Sequence, residues 1–389
     1  MKKNKRKICV VITARPSYSR VKSVLQEIKK SKKLILQIVV TGSSLLEKYG
    51  NVSELIENDK FKIDAKIYNI IEGEKLINMV KSTGVGIIEL ASVFVRLRPD
   101  LVITIADRHE TIATAIASSY MNIPLAHIQG GEVTGSIDEK VRHSITKLSD
   151  LHFVANEEAY KRVCKLGENK KKVFNTGCPS IDIAKDALKN IHKRPISFKS
   201  MGGVGNVKNF SSEKDYLVVM QHPVTTEYNS AYNQIEITLK ALKKINMQVF
   251  WFWPNIDAGS DKTSKKIREF RENQNSSKFH FLRNMESEDF LKLLYNSKAI
   301  IGNSSVAIRE CSFLGVPAIN IGNRQLGRAR GKNVIDVPYN TSKIMKAISK
   351  QIKKNKINPD YLYGKGNTGK KIVAILEKTK FTYTKKITY

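Results

Sequence analysis

Cysteine is scarce in this chain of 389 residues, acidic side chains are outnumbered, and no long apolar run stands out. The four cysteines, Cys9, Cys164, Cys178 and Cys311, lie far apart with no CxxC pair, so a structural disulfide is not expected. The apolar run Ile8 to Thr13 is too short for the core of a secretory leader and has strand character. No window approaches the ~20 apolar residues that would span a bilayer. A cytoplasmic protein with no membrane partner is the expectation. Asp and Glu number 36 against 67 Lys and Arg, a formal charge of +31 that raises nucleic acid as a partner. The basic residues are nevertheless scattered, in short runs such as Lys29 to Lys33 and Lys170 to Lys172 that read as solvated helix faces. With no zinc-finger spacing, aromatic-interleaved RNA motif or long basic arm, no nucleic-acid partner is expected. The positive field instead favours capture of an anionic small substrate.

What is present reads as globular α/β. Hydrophobic residues make up 41% and charged residues 26%, enough apolar surface to offset ordering entropy. The length favours two domains. Apolar, β-branched runs alternate with amphipathic stretches, the pattern of βα units around a parallel sheet. Strands are expected at Ile8 to Thr13, Leu34 to Val40, Leu101 to Ile105, Pro124 to Ile128, Leu151 to Ala155 and Val173 to Asn175. Helices are expected at Tyr18 to Lys30, Ser43 to Glu47, Lys75 to Leu97 and His109 to Tyr120. Pro195 to Asn209, rich in Gly, Ser, Lys and Asn, reads as a linker and mobile loop. A second series runs through Tyr216 to Met220, Val249 to Trp253, Phe279 to Leu282, Ala299 to Ile301 and Ala318 to Ile321, and the basic end from Lys378 reads as a frayed tail. The expected architecture is two Rossmann-like, doubly wound domains, 1–185 and 210–365, followed by a C-terminal helix and tail at 366–389. Ligands of such sheets bind beyond the strand C-termini, so an active site in the interdomain cleft is expected.

The polar motifs fall at those strand ends. Arg15 follows the first strand in a loop ahead of a helix, where a guanidinium suits pyrophosphate or is simply an exposed arginine. Asp107 follows Leu101 to Ile105 and precedes a helix, as suited to a general acid or base as to a helix N-cap. In His127-Ile128-Gln129-Gly130-Gly131-Glu132 two glycines allow close backbone approach, and Glu132 is a second carboxylate. Glu139 begins a helix, a position that dipole capping alone would also select. His222 ends the first strand of the second series and can serve as acid or anion donor. Asn303, Ser304 and Ser305 follow a strand at the start of a helix and can cradle phosphate. Glu310, further along that helix, could accept a ribose diol, the alternative being an exposed helical glutamate.

Together these segments resemble the hydrolysing UDP-N-acetylglucosamine 2-epimerases. The resemblance runs in order through Tyr49-Gly50-Asn51, Asp107-Arg108, Gly130-Gly131-Glu132-Val133-Thr134-Gly135, Val141-Arg142-His143, Gln221-His222-Pro223-Val224-Thr225-Thr226, Pro254 to Ser260, Ile301-Gly302-Asn303-Ser304-Ser305 and Arg324-Gln325-Leu326-Gly327-Arg328. It covers about residues 8 to 380. It implies a GT-B type fold, a UDP-sugar substrate, no nicotinamide and no obligatory metal, and a homodimer or higher homo-oligomer. It implies loss of UDP, hydrolysis and inversion at C2, with Asp107 and Glu132 near the sugar, Glu139 as a weaker third acid and His222 on the diphosphate side. Arg15, Ser304, Ser305, Glu310 and Arg324 match the nucleotide-binding positions, the serines on phosphate and Glu310 on ribose.

This chain departs from the pattern in three places. Gln129 stands where the animal enzyme and the non-hydrolysing relatives carry Glu, Ala106 where Gly commonly precedes the Asp, and Ala14 to Tyr18 replaces a more usual Arg-Ala-Asp-Tyr. Such changes near the sugar would suit a 4-acetamido-6-deoxy substrate, UDP-N,N'-diacetylbacillosamine, as the alternative to UDP-N-acetylglucosamine. A GT-B glycosyltransferase would share the fold but lack both acids, and a basic nucleic-acid-binding protein would show salt-dependent retention of oligonucleotides.

Overall fold

A computed structural model describes the chain except for residues 1–4, 47–51, 72–75, 135–136, 192–197, 199–200, 206–209, 212, 255–258, 274–276, 284, 355 and 389. Two compact units emerge, one of Met1–Glu132, Ile137–Ile183 and Tyr363–Tyr389, the other of Val133–Ser136 and Ala184–Leu362.

In the first unit the chain runs β1 (Arg6–Ile12), α1 (Arg15–Lys30), β2 (Leu34–Thr41), α2 (Val52–Asn58), β3 (Ala65–Ile67), α3 (Leu76–Leu97), β4 (Leu101–Ile105) and α4 (Thr111–Tyr120). It continues through β5 (Leu125–Ile128), α5 (Asp138–Leu148), β6 (Leu151–Val154), α6 (Glu157–Lys165) and β7 (Val173–Asn175) into α7 (Ser180–Lys189). The strands pair in the order β3-β2-β1-β4-β5-β6-β7, all parallel. Parallel strands are covered on both faces, which is why runs such as Ile8–Ile12 are apolar without alternation. One face packs Tyr18, Val21, Val24, Leu25 and Ile28 of α1, the other Leu90, Val93 and Phe94 of α3.

The second unit holds β8 (Val204–Gly205), β9 (Tyr216–Met220), α8 (Ala231–Lys243), β10 (Gln248–Phe252), α9 (Ser260–Asn273), β11 (Phe279–Leu282) and α10 (Ser287–Asn296). After these come β12 (Ala299–Gly302), α11 (Glu310–Leu314), β13 (Ala318–Ile321), β14 (Val334–Val337) and α12 (Thr341–Ile352). Its order is β14-β13-β12-β9-β10-β11-β8, parallel except for the β8 edge. A last helix, α13 (Thr368–Lys378), returns to the first unit and packs on α1, with Ile372, Val373 and Leu376 in that core.

The two expected sheets are therefore present, and five local expectations need correction. Helix α1 starts at Arg15, three residues earlier than its periodicity suggests, because a proline in the first turn sacrifices no intrahelical donor. Ser43 to Glu47 is a 3-10 turn over Gly42–Leu45, while Glu47 and the Tyr49–Asn51 motif lie outside the described residues. The linker expected at Pro195 to Asn209 is partly pinned: Val204–Gly205 pairs antiparallel with β11, and Phe198 stacks edge-on against Tyr216 and Phe250. The end from Lys378 is not frayed, since Thr388 N donates to Gly167 O at 2.9 Å and Lys385 Nζ to Ser149 O at 2.7 Å. Finally, the 22-residue α3 is long and apolar enough to cross a membrane by length and composition, contrary to the expectation from apolar windows. It lies along the sheet with Leu90, Val93 and Phe94 buried.

Candidate active site

Each sheet reverses its winding once, and the polar motifs stand on either side of those points. In the first sheet β1 and β4 are neighbours across the switch, and they deliver Arg15 and Asp107. In the second, β9 and β12 are the corresponding neighbours, delivering His222 and Asn303–Ser305.

At the first sheet the organising group is Arg142, on α5 and 1% exposed. Its guanidinium forms a close ion pair with Asp107, donates to the Glu132 carbonyl at 2.8 Å and lies 3.6 Å from the Glu139 carboxylate. The N-cap alternative for Asp107 thus fails: the residue flanking α4 is Glu110, and Asp107 spends its carboxylate on Arg142. Glu139 also meets His143 Nε2 at 3.1 Å, one helical turn on. Glu132 is 3% exposed, so a carboxylate there is withdrawn from bulk water. Arg142 was visible in the sequence only as part of a motif. What would have singled it out is its spacing, three residues after Glu139 on one helix face.

The same edge carries two further polar groups. Glu110 is buried between Arg108, 3.3 Å away, and His109, 3.1 Å away. Burial alone would raise its pKa, but Arg108 and then His109 outweigh burial and hold it below the usual carboxylate range. His127 is fully buried, and burial pushes its imidazole down to about 3. It is therefore neutral: Nε2 donates to the Ala106 carbonyl at 2.8 Å and Nδ1 accepts from Thr146 Oγ1 at 3.1 Å. That bond ties the end of β5 to the backbone just before Asp107. Ala106 itself has φ +65°, the left-handed region that explains why glycine is common there in the family it resembles. Gln129, also left-handed at φ +69°, turns its buried amide onto Cys178 Sγ at 2.7 Å.

At the second sheet Asn303 is fully buried and clamps the loop after β9, accepting from His222 N at 2.7 Å and donating to His222 O at 2.8 Å. Its side-chain amide is thereby committed to positioning His222. The clamp requires close backbone approach. Gly302 has φ +132°, and a Cβ there would stand 2.1 Å from Met220 O. The expected continuous helix after β12 is instead a 3-10 turn, Ser305–Ala307, and then the short α11. Ser304 caps the turn through Val306 N at 3.4 Å, and Ser305 Oγ accepts from the buried Arg309 at 2.7 Å. Glu310 is the first residue of α11 and is 6% exposed, so it is not the exposed helical glutamate of the alternative reading. Among the described residues its Oε2 has no hydrogen-bond partner. Arg324 reaches Asn303 O at 3.3 Å. Among the described residues no cluster of three His, Cys, Asp or Glu side chains is arranged to hold a metal.

A family model described as UDP-N-acetylglucosamine 2-epimerase matches residues 26–377. The chain is 35% identical over 358 residues to a GDP/UDP-N,N'-diacetylbacillosamine 2-epimerase (hydrolyzing) of Campylobacter jejuni, covering 90% of each chain. It is 30% identical over 366 residues to a UDP-N-acetylglucosamine 2-epimerase of Neisseria meningitidis, covering 94% of this chain and 92% of that one. In fold it is similar to a crystal structure of UDP-GlcNAc 2-epimerase from Neisseria meningitidis bound to UDP-GlcNAc. The TM-score there is 0.80 at 20% identity, over 96% of this chain and 100% of that one.

Proposed function

The chain belongs to the UDP-N-acetylglucosamine 2-epimerase family, and we propose that it is a hydrolysing enzyme converting UDP-N-acetylglucosamine and water to N-acetylmannosamine and UDP. The observation that carries this reading is the convergence of Asp107, the Glu132 peptide and Glu139 on the buried guanidinium of Arg142. Inversion at C2 needs one group to take a proton from one face of the ring and another to supply one from the opposite face. In the first step a carboxylate takes the C2 proton, the C2–H pair becomes the C1=C2 bond of a 2-acetamidoglucal, and UDP departs with the C1–O pair. In the second, C2 is protonated from the other face while water adds to C1 and gives up its spare proton. No hydride moves, so the chemistry calls for no nicotinamide. Each proton transfer assisted by a positioned side chain contributes about 10²–10⁴-fold.

Asp107 and Glu132 share the two proton transfers, with Glu139 supporting them through Arg142. Arg15, His222, Ser304, Ser305 and Arg324 stabilise the departing diphosphate, whose developing charge suits guanidinium forks and short hydroxyl donors. Glu310 takes the ribose hydroxyls, supported by its buried, unpartnered Oε2. A second reading keeps the chemistry and changes the sugar to N,N'-diacetylbacillosamine, favoured by the name and 35% identity of the Campylobacter relative.

The test is incubation with each UDP-sugar in deuterated water, without NAD or added metal, followed by proton NMR. UDP with C2-deuterated N-acetylmannosamine is expected from UDP-N-acetylglucosamine. Turnover of the bacillosamine nucleotide alone would move the assignment to the second sugar. Unlabelled N-acetylglucosamine as product would refute the epimerase chemistry.

A further inference from the structure

The backbone that carries Asp107 stands in a conformation its sequence disfavours. Ala106 has φ +65°, where the Cβ of an L-residue crowds the following carbonyl, so its surroundings must hold it there. Two adjacent residues of β5 do so: Ala106 N donates to Ile128 O at 3.0 Å, and His127 Nε2 donates to Ala106 O at 2.8 Å. The second bond fixes the peptide plane from which Asp107 departs. His127 is in turn oriented by Thr146 Oγ1, 3.1 Å from Nδ1, and both side chains are fully buried. Thr146 lies four residues after Arg142 on α5, hence on the same helix face. One turn of α5 therefore grips the Asp107 carboxylate through Arg142 and the backbone before it through Thr146 and His127. We propose that Thr146 and His127 are positioning residues that set the Asp107 carboxylate for proton transfer, His127 serving as a fixed donor and not as a proton shuttle.

This role rests on Asp107 being one of the two proton-transfer groups. The proton inventory fixes the arrangement. A carbonyl only accepts, so Nε2 carries the proton of the ring, and Nδ1 is left bare to accept from the threonine hydroxyl. Burial and the neighbouring His152 and His143 all disfavour a charged imidazole. A ring with both nitrogens engaged and no exposed surface has no route for exchanging protons with a substrate. The packing is built around the pair: a Cβ at Gly130 would stand 2.9 Å from both His127 Nδ1 and Thr146 Oγ1, so the first glycine of Gly130-Gly131 is what lets the two meet. An apolar side chain in place of His127 would leave the Ala106 carbonyl unpaired. Ala106 would then relax toward negative φ and carry Asp107 off its seat on Arg142. Displacing a reacting group by about 1 Å costs about 10²-fold in rate.

Thr146→Val, an isostere without the hydroxyl, frees the imidazole to take its other tautomer and is expected to lower kcat about tenfold, with KM and UDP affinity within about twofold. His127→Leu is expected to lower kcat about 10²-fold. His127→Gln, whose amide nitrogen can take the place of Nε2, should recover at least about tenfold of that loss. Ala106→Gly added to His127→Leu should do the same, since glycine holds φ +65° without help. Heteronuclear NMR of histidine-labelled wild type, assigned with the His127→Gln spectrum, should show a neutral Nε2–H ring that does not titrate between about pH 5 and 8. A titrating or Nδ1–H ring at His127, losses that fall on KM instead of kcat, or the failure of both rescues overturns the proposal. If His127→Leu does not fold, Thr146→Val and the tautomer decide. A wild type inert toward both UDP-sugars would strike the proposed function, and the tautomer would still tell whether the relay is in place.

Discussion

Replacing Glu168 by glutamine removes one carboxylate from the place where the end of the chain is fastened to the first unit. Glu168 side-chain exposure is 2%, and its oxygens meet Lys147 Nζ at 2.7 Å, Lys385 Nζ at 2.7 Å and His152 Nε2 at 3.0 Å. Burial alone would raise its pKa, but the hydrogen bonds from His152, Lys147 and Lys385 bring it from 4.5 down to about 2. A carboxyl so held is worth ~3 kcal/mol at neutral pH. Burial lowers the pKa of Lys385, which opposes part of this gain. The folded pKa lies below the unfolded one, so the contribution is complete above about pH 4.5 and fades as pH falls toward 2. Glu168→Gln is therefore expected to lower the unfolding temperature of the first unit by roughly 4–8 °C at pH 7. The deficit should narrow as pH falls below 4.5. Trypsin should also cut the mutant sooner at Lys380 and Lys385. Equal stabilities at pH 7, a deficit undiminished at pH 3.5, or a wild-type tail cut as fast as the mutant's would refute the reasoning.

Three other outcomes follow from the geometry. Gly302→Ala forces a Cβ against Met220 O and should cost more than ~3 kcal/mol in urea unfolding, because backbone cannot yield as a side chain does. Asn303→Ala releases both backbone groups of His222 and is expected to lower kcat/KM for the UDP-sugar about 10²-fold while UDP affinity falls less; equal losses in both would contradict a positioning role. Glu310→Gln keeps the shape but weakens acceptance from the ribose, so KM should rise about tenfold with kcat little changed.

Most strands of both sheets were legible because strands buried on both faces are continuous apolar runs, as at Leu101–Ile105 and Phe279–Leu282, whereas the exposed edge β8 and the partly buried β14 were not. β3 escaped notice: it is three residues long with the exposed Lys66 at its centre. The Arg142–Asp107 pair joins residues 35 apart, which no local pattern reports. Asp107 could therefore be read equally as catalytic or as a cap until α5 was in place. The fate of Ser305 had the same difficulty, since its arginine partner stands beyond a break in the helix. The apolar length of α3 escaped the sequence reading because Lys81, Glu89 and Arg96 interrupt its apolar run.

The return of α13 to α1 has a consequence for synthesis. Val21, Val24, Leu25 and Ile28 of α1 share a core with Ile372, Val373 and Leu376, which are translated only after the whole stretch from Ala184 to Leu362. At about 5–20 residues per second the ribosome takes roughly 10–35 s to make that stretch. Throughout this interval the first unit has its sheet but lacks its last covering helix, so a sticky surface stands open on a nascent chain. Folding here cannot finish in the order of translation, and a stalled or truncated product ending before Thr368 would carry that surface permanently.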